Sequence, residues 1–312
     1  MLKRKAIRKI IITTFSIITI FIICIMPGIF ENKDNLLDLS VETTYVNNSD
    51  TTSIYLLGIN NYLTKVSVLI NDKNIEDKIS QIIKYLTVGG SSKIPNGLKA
   101  IIPRNTKVNS IKIEDKIVTL DFSDSLFEID DFLEERLVEA ITYSLINIDG
   151  VEGVKIKIDG NDVSILPKSK KNLPAILNRN YGINKVYEID NIHNIQKVVL
   201  YYTSNIDDEK YYVPVTMYLN DDRDKIKIII ENLSSNYLYE SSLVSILSPN
   251  TELINYEMED KIMKVNFNQG LFSNDKLLEE VIYPISESVF ENYDINKILF
   301  QIDGKDIKEI EK

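Results

Sequence analysis

Three adjacent carboxylate pairs, Asp130-Asp131, Glu134-Glu135 and Glu279-Glu280, are the first places to look for acid–base chemistry. A general acid and a general base must converge on one substrate, whereas neighbouring residues on a helix do not face each other. Carboxylates are also favoured in a helix's first turn by the positive end of its dipole. The pairs therefore predict helix starts rather than a catalytic dyad. Asp121, Ser123, Asp124 and Asp130 are spaced so that they could gather around calcium, which takes a shell of oxygen ligands. His193 is the only histidine, Cys24 the only cysteine, and there is no tryptophan. That scarcity removes structural zinc, disulfide frameworks and any triad built on two His or Cys residues. Neither an enzyme nor a cofactor site is expected. Among 17 tyrosines, Tyr201, Tyr202, Tyr211 and Tyr212 cluster closely. They are candidate partner-facing aromatics, with packing inside a strand pair as the competing reading.

These residues sit in a chain of 312 residues with a net charge of −10. Five of its bases, Lys3, Arg4, Lys5, Arg8 and Lys9, fall in the first nine residues, so the remainder carries 31 bases against 46 acids. A body that acidic is repelled by phosphate backbones, and no nucleic-acid partner is expected.

An uncharged run follows the basic stub, from Ile10 to Phe30. As a helix it would be about 30 Å long, enough to cross a bilayer core. The flanking charges orient it with residues 1–9 in the cytoplasm and the rest outside. The exit Met26-Pro27-Gly28-Ile29-Phe30 is a poor cleavage site, and Phe21, Ile22 and Ile23 make a poor context for acylation of Cys24. The reading preferred is an uncleaved transmembrane anchor over 10–30, ahead of cleavage or lipidation. Residues 31–53, rich in Asn, Asp, Ser and Thr, read as a flexible tether. It would span roughly 26 Å on average.

The remaining chain is one unit written twice. "TKVNSIKIEDKIVTLDFSDSLF" (106–127) matches "TELINYEMEDKIMKVNFNQGLF" (251–272) at an offset of 145, and "VKIKIDGND" (154–162) matches "ILFQIDGKD" (298–306) at 144. A repeat that long indicates whole domains, here 54–166 and 198–312 with a linker over 167–197. The second copy has Asn266, Asn268 and Gly270 in place of Asp121, Ser123 and Ser125, which removes the charge a calcium site would need.

Periodicity supplies the elements. Ile75, Ile79, Ile82, Ile83 and Leu86 predict an amphipathic helix, answered by Ile226, Ile229, Ile230 and Leu233. Val118, Leu120 and Phe122 alternate with polar neighbours, as do Met263, Val265 and Phe267, which predicts half-buried strands. A second helix carries Leu133, Leu137, Ala140, Ile141 and Leu145. Its counterpart carries Leu278, Val281, Ile282, Ile285 and Val289, with Pro284 expected to kink or break it. Asp159-Gly160 and Asp303-Gly304 predict matching tight turns. The fold class expected is α+β: two β-β-α-β-β-α-β domains, each a single sheet with two helices on one face, preceded by the transmembrane helix. Within the linker, the apolar stretch "INKVYEI" is expected to pack as an extra strand.

With these stretches in view, each unit resembles a GerM domain of sporulation and germination proteins. The motifs are "YYVPVTMYL", "IIPRNTKV" with Pro103 and Thr106, "VTLDFSDSLF" and "VEGVKIKIDG", and the resemblance covers both units. It implies a fold like the ring-building motifs of secretion and spore-channel proteins. It also implies a role in endospore formation, in an extracytoplasmic complex between mother cell and forespore. Implied partners are other membrane-anchored sporulation proteins, or further copies of this chain. The other reading is an extracytoplasmic ligand-binding module, a receptor for cell-wall sugars or small molecules, which would need an aromatic and polar cleft between the domains. The lack of tryptophan weighs against a sugar platform.

Overall fold

The computed structural model describes residues 51–58, 61–70, 74–91, 93–207, 209–235, 243–245, 247–271 and 279–312. All of them belong to one compact unit, Asp50–Lys312. The expected anchor, and the expected tether up to residue 50, lie outside the described residues; the last three tether positions, 51–53, instead open the first strand. Among the described residues no helix is long and apolar enough to cross a membrane.

The first repeat opens with strands β1 (Thr51–Leu57) and β2 (Leu63–Leu69), followed by helix α1 (Ile75–Leu86). Strands β3 (Val108–Glu114) and β4 (Ile117–Phe122), helix α2 (Glu134–Leu145), and strands β5 (Gly153–Ile158) and β6 (Asn161–Asp162) complete it. A short strand β7 (Val186–Glu188) precedes the second repeat. That repeat runs β8 (Ile195–Ile206), β9 (Glu209–Asn220), α3 (Lys225–Ser234), β10 (Leu253–Glu259), β11 (Ile262–Phe267), α4 (Glu279–Asn292), β12 (Lys297–Ile302) and β13 (Lys305–Glu311).

Local sequence explains most of these elements. Asn74 caps α1 by accepting the Glu76 amide at 3.0 Å, and Ile79, Ile82, Ile83 and Leu86 form the helix's buried face. Val118, Leu120 and Phe122 point inward and are fully buried, as are Met263, Val265 and Phe267. Asp159 and Gly160 both have positive φ, +47° and +81°, and Asp303 and Gly304 repeat this at +49° and +79°. Two consecutive left-handed residues make the tight turn that suits a twisted hairpin. Asp115-Lys116 and Asp260-Lys261 do the same between β3 and β4 and between β10 and β11. Helix α4 continues through Pro284 without a break.

The sheet arrangement departs from expectation. The strands of each repeat do not form one sheet. β3-β4-β5-β6 and β10-β11-β12-β13 are separate four-stranded sheets, each with a parallel central pair. The hairpins β1–β2 and β8–β9 instead join each other, through β2 and β9, in a sheet that both repeats share. β7 adds to β9 in parallel, with Val186 opposite Met217. Alternation fixes which face of a strand is buried but not which strand it pairs with, so partner choice was open in the pattern.

There are two hydrophobic cores, one per repeat. The first also takes in Leu173, Leu177 and Ile183 from between the repeats and Ile206 from β8, so residues 167–197 do not run free. Ten of the twelve residues of helix α2 are buried, including the polar Glu134, Glu139 and Ser144 beside the apolar Leu137, Ala140, Ile141 and Leu145. Its polar side is covered by β1 and by the inter-repeat segment, which the hydrogen bonds below account for.

Candidate functional site at the junction of the repeats

Asn184 is the centre of the junction. Extending the Lys65–Tyr212 register of β2 and β9 would place Leu63 opposite Pro214. Pro214 has no N–H to give, so direct pairing there is impossible. The side chain of Asn184 fills the place: its Oδ1 accepts the Leu63 amide at 2.8 Å, and its Nδ2 donates to the carbonyls of Leu63 at 2.8 Å and Pro214 at 2.7 Å. One side-chain amide thus imitates the missing backbone ladder, from a left-handed residue with φ of +49°. Its own N–H donates to Glu139 Oε2 at 2.9 Å. The next residue back, Ile183, exchanges two bonds with Thr216, each of 2.9 Å.

The free edges of the shared sheet are closed by the second helix of each repeat. The Tyr55 amide of β1 donates to Ser144 Oγ of α2 at 2.9 Å, and the Tyr201 amide of β8 donates to Ser288 Oγ of α4 at 2.9 Å. Asn292 reinforces the second edge by donating to the Val199 carbonyl at 2.7 Å and accepting its amide at 3.1 Å. Because the Tyr201 amide points toward α4, the Tyr201–Pro214 pair exchanges no ladder bonds, and the proline costs β8–β9 nothing.

Charges complete the junction. Lys65 Nζ, from the first repeat, bonds Glu287 at 2.6 Å and the Tyr283 hydroxyl at 3.1 Å in the second. Burial alone would lower the Lys65 pKa, but Glu287 holds it above the ordinary lysine value. The amine therefore stays protonated and is unsuited to act as a nucleophile. Tyr283 packs against Tyr212 with ring centres 4.1 Å apart and planes tilted by 35°, and its hydroxyl pKa is pushed up to about 12, chiefly by burial. Arg179 bonds Glu291 and donates to Asn147 Oδ1 at 3.0 Å. A cleft of about 330 Å³ opens beside these groups, lined in part by Tyr55, Lys65, Arg179 and Tyr201.

Five of the six paired carboxylates have partners within the chain. Glu134 accepts the Lys168 and Ser169 amides at 2.9 and 2.7 Å. Glu135 bonds Lys171, and also Lys185 at 2.7 Å; burial pushes its carboxyl up, but the two lysines hold it below the usual value. Glu279 pairs with Lys308 at 3.0 Å and Glu280 with Lys210. Asp131 accepts the Phe132 amide at 2.8 Å. Of the calcium candidates, Asp121 Oδ1 accepts the turn amide of Gly160 at 2.9 Å, and Asn266 Oδ1 accepts that of Gly304 at the same distance. Ser123 accepts the Lys107 amide at 3.0 Å, and Asn268 accepts that of Glu252 at 3.1 Å. Each substitution keeps an acceptor oxygen, the feature these turns use. His193 is exposed in a bend where Asn220 binds its carbonyl.

The four tyrosines part company. Tyr201 and Tyr202 are each 2% exposed, so both rings are buried within the chain; α3 and α4 pack against β8, whose ladder partner is β9. Tyr211 is partly buried with its hydroxyl on Glu209, and Tyr212 lies partly buried against Tyr283. The residues that join the repeats, Lys65 and Asn184, and the serines that close a sheet edge within each repeat, Ser144 and Ser288, escaped notice in the sequence. Only the serines carried a signal, since both helices hold one at the same place.

Residues 45–164 and 199–308 match the family model described as "Germane: Sporulation and spore germination". The spore germination protein GerM of Bacillus subtilis (strain 168) is 26% identical over 262 residues, covering 81% of this chain and 71% of that protein. The solved structure of the tandem GerMN domains of the sporulation protein GerM from Bacillus subtilis matches with a TM-score of 0.76 at 24% identity, over 84% of this chain and 96% of that one. At that identity the likeness is one of fold, and it extends across both repeats. With two copies of the domain welded through a shared sheet, the chain belongs to the Germane family of sporulation and spore germination proteins.

Proposed function

We propose that this protein is a non-catalytic component of an extracytoplasmic assembly formed during sporulation, held to the membrane by residues 10–30. Family membership supports the sporulation role. The assembly role rests on the outer edge of β10. That edge pairs with no strand among the described residues, and β10 exposes Ile254 (51%) and Met258 (58%). An unpaired strand with apolar side chains is a template for a strand from another chain. The edges of β1 and β8 are closed by serine and asparagine side chains, and of the outer strands β3, β10 and β13, β10 exposes the most apolar side chain, which favours it as the docking edge. Glu257 and Glu259 on the same strand discourage pairing of two identical edges and favour a neutral or basic partner strand.

A photo-crosslinking residue at position 258, introduced into the full-length protein in sporulating cells, tests this. Capture of a membrane-anchored sporulation protein from position 258, but not from exposed position 132, is expected. A crosslinking pattern identical at the two positions would remove the β10 assignment, and normal spore formation and germination in cells lacking the protein would remove the sporulation role.

A further inference from the structure

A second cleft, of about 690 Å³, lies where the inter-repeat segment meets α2 and β9. Its aromatic wall is Tyr187 on β7 and Tyr218 on β9, stacked with centroids 5.0 Å apart and planes 11° from parallel. Tyr187 is 58% exposed, so the pair holds a flat aromatic surface open to solvent. Tyr181 lines another side, with Lys185 Nζ 3.4 Å from its ring centre. Three lysines line the cleft, Lys170, Lys171 and Lys185; Lys171 and Lys185 pair with Glu135, and Lys185 also with Glu139, whereas Lys170 bonds the Pro167 carbonyl and shows no carboxylate partner among the described residues. On a chain of net charge −10 this is a locally positive spot. The exposed amides of Asn172 and Asn180 add neutral donors and acceptors.

We propose that this cleft binds a saccharide chain bearing scattered negative charge. Aromatic rings take the C–H face of a pyranose, amides take hydroxyl or acetamido groups, and the exposed Lys170 takes the charge. Stacked tyrosines supply the platform that tryptophan would otherwise provide. A single-stranded nucleic acid would also stack here, but it carries a phosphate at every residue and would meet the repulsion of the acidic body. A glycan with sparse charge avoids most of that repulsion. The site uses neither the β10 edge nor its partner, so it stands or falls apart from the assembly role.

The test is co-sedimentation of the full-length protein, in detergent, with two insoluble cell-wall preparations. One is an amino-sugar polymer stripped of phosphate polymers, whose charges are carboxylates; the other retains the phosphate polymers. Sedimentation with at least one is expected, and the preparation preferred names the charge. Tyr187→Ala should weaken binding about tenfold, the scale for losing one stacking platform, while Tyr187→Phe and Ile307→Ala, at an exposed residue of β13 in a separate sheet, bind like wild type. Lys170→Glu, at an exposed side chain, should also weaken binding and flatten its salt dependence. The proposal is overturned by wild type that sediments with neither preparation, by Tyr187→Ala binding unchanged, or by tighter binding to a single-stranded oligonucleotide than to either wall.

Discussion

Ser144 Oγ accepts the backbone N–H of Tyr55 at 2.9 Å, across 89 positions of sequence, and so closes an open sheet edge with a helix side chain. Ser288 and Tyr201 repeat the contact in the second copy. Each tyrosine amide is buried, and without the hydroxyl it has no ladder partner. Ser144→Ala and Ser288→Ala should each destabilise the protein by about 1–3 kcal/mol, the cost of an unsatisfied buried donor. Urea unfolding measures this; a loss below the error of the method at both sites would show that water reaches the amide instead.

Asn184 joins the repeats through three side-chain bonds. Asn184→Leu keeps the size but leaves two carbonyls and one amide unpaired, with an expected loss of about 3–5 kcal/mol. Hydrogen exchange should quicken first at the Leu63 amide, before amides of β4 in the first repeat's own sheet. Uniform quickening throughout would mean that the junction is not a separate weak point.

Asp121 and Asn266 play one role with different charge, since each braces a turn glycine through Oδ1. Asp121→Asn should therefore be neutral in stability within about 0.5 kcal/mol, whereas Asp121→Ala should cost about 1 kcal/mol. Millimolar calcium should leave the melting temperature of wild type unchanged. A calcium-dependent rise that Asp121→Asn abolishes would restore the metal reading.

Glu135 gives the fold an acid-sensitive clamp. Its folded pKa lies below the ordinary 4.5 because Lys171 and Lys185 outweigh the effect of burial. A lowered carboxylate pKa stabilises the fold above the unfolded value, and that stability is lost as pH falls through the folded value. Wild type should therefore exceed Glu135→Gln in stability at neutral pH, with the gap closing as pH drops from about 4.5. Burial pushes Glu139 the other way, with a smaller push from the Glu135 charge, so its own contribution has the opposite sign and is reduced but not removed in Glu135→Gln. Denaturation midpoints from pH 7 down to 3 measure the gap, and a gap that widens on acidification contradicts the clamp.

Much was legible in the residues alone. The duplication, the strand faces through Val118, Leu120 and Phe122, the Asp-Gly turns and the face of α1 followed from local periodicity and backbone preference, which act over a few residues. That Glu134-Glu135 and Glu279-Glu280 open helices followed from the same local geometry. The family resemblance came from the same motifs.

What the chain left open is what lies far apart along it. Nothing local to "VPV" shows that Pro214 faces a gap, or that Asn184, 30 positions earlier, fills it. Tyr201 and Tyr202 look alike exposed or buried until helices and sheet close around β8. The pairing of hairpins across repeats, the burial of α2 on every side and the stacking of Tyr187 on Tyr218 were decided by tertiary structure. A strand's pattern selects its buried face, but its hydrogen-bonding edge accepts any backbone, and only the packing of the whole chain settles which one arrives.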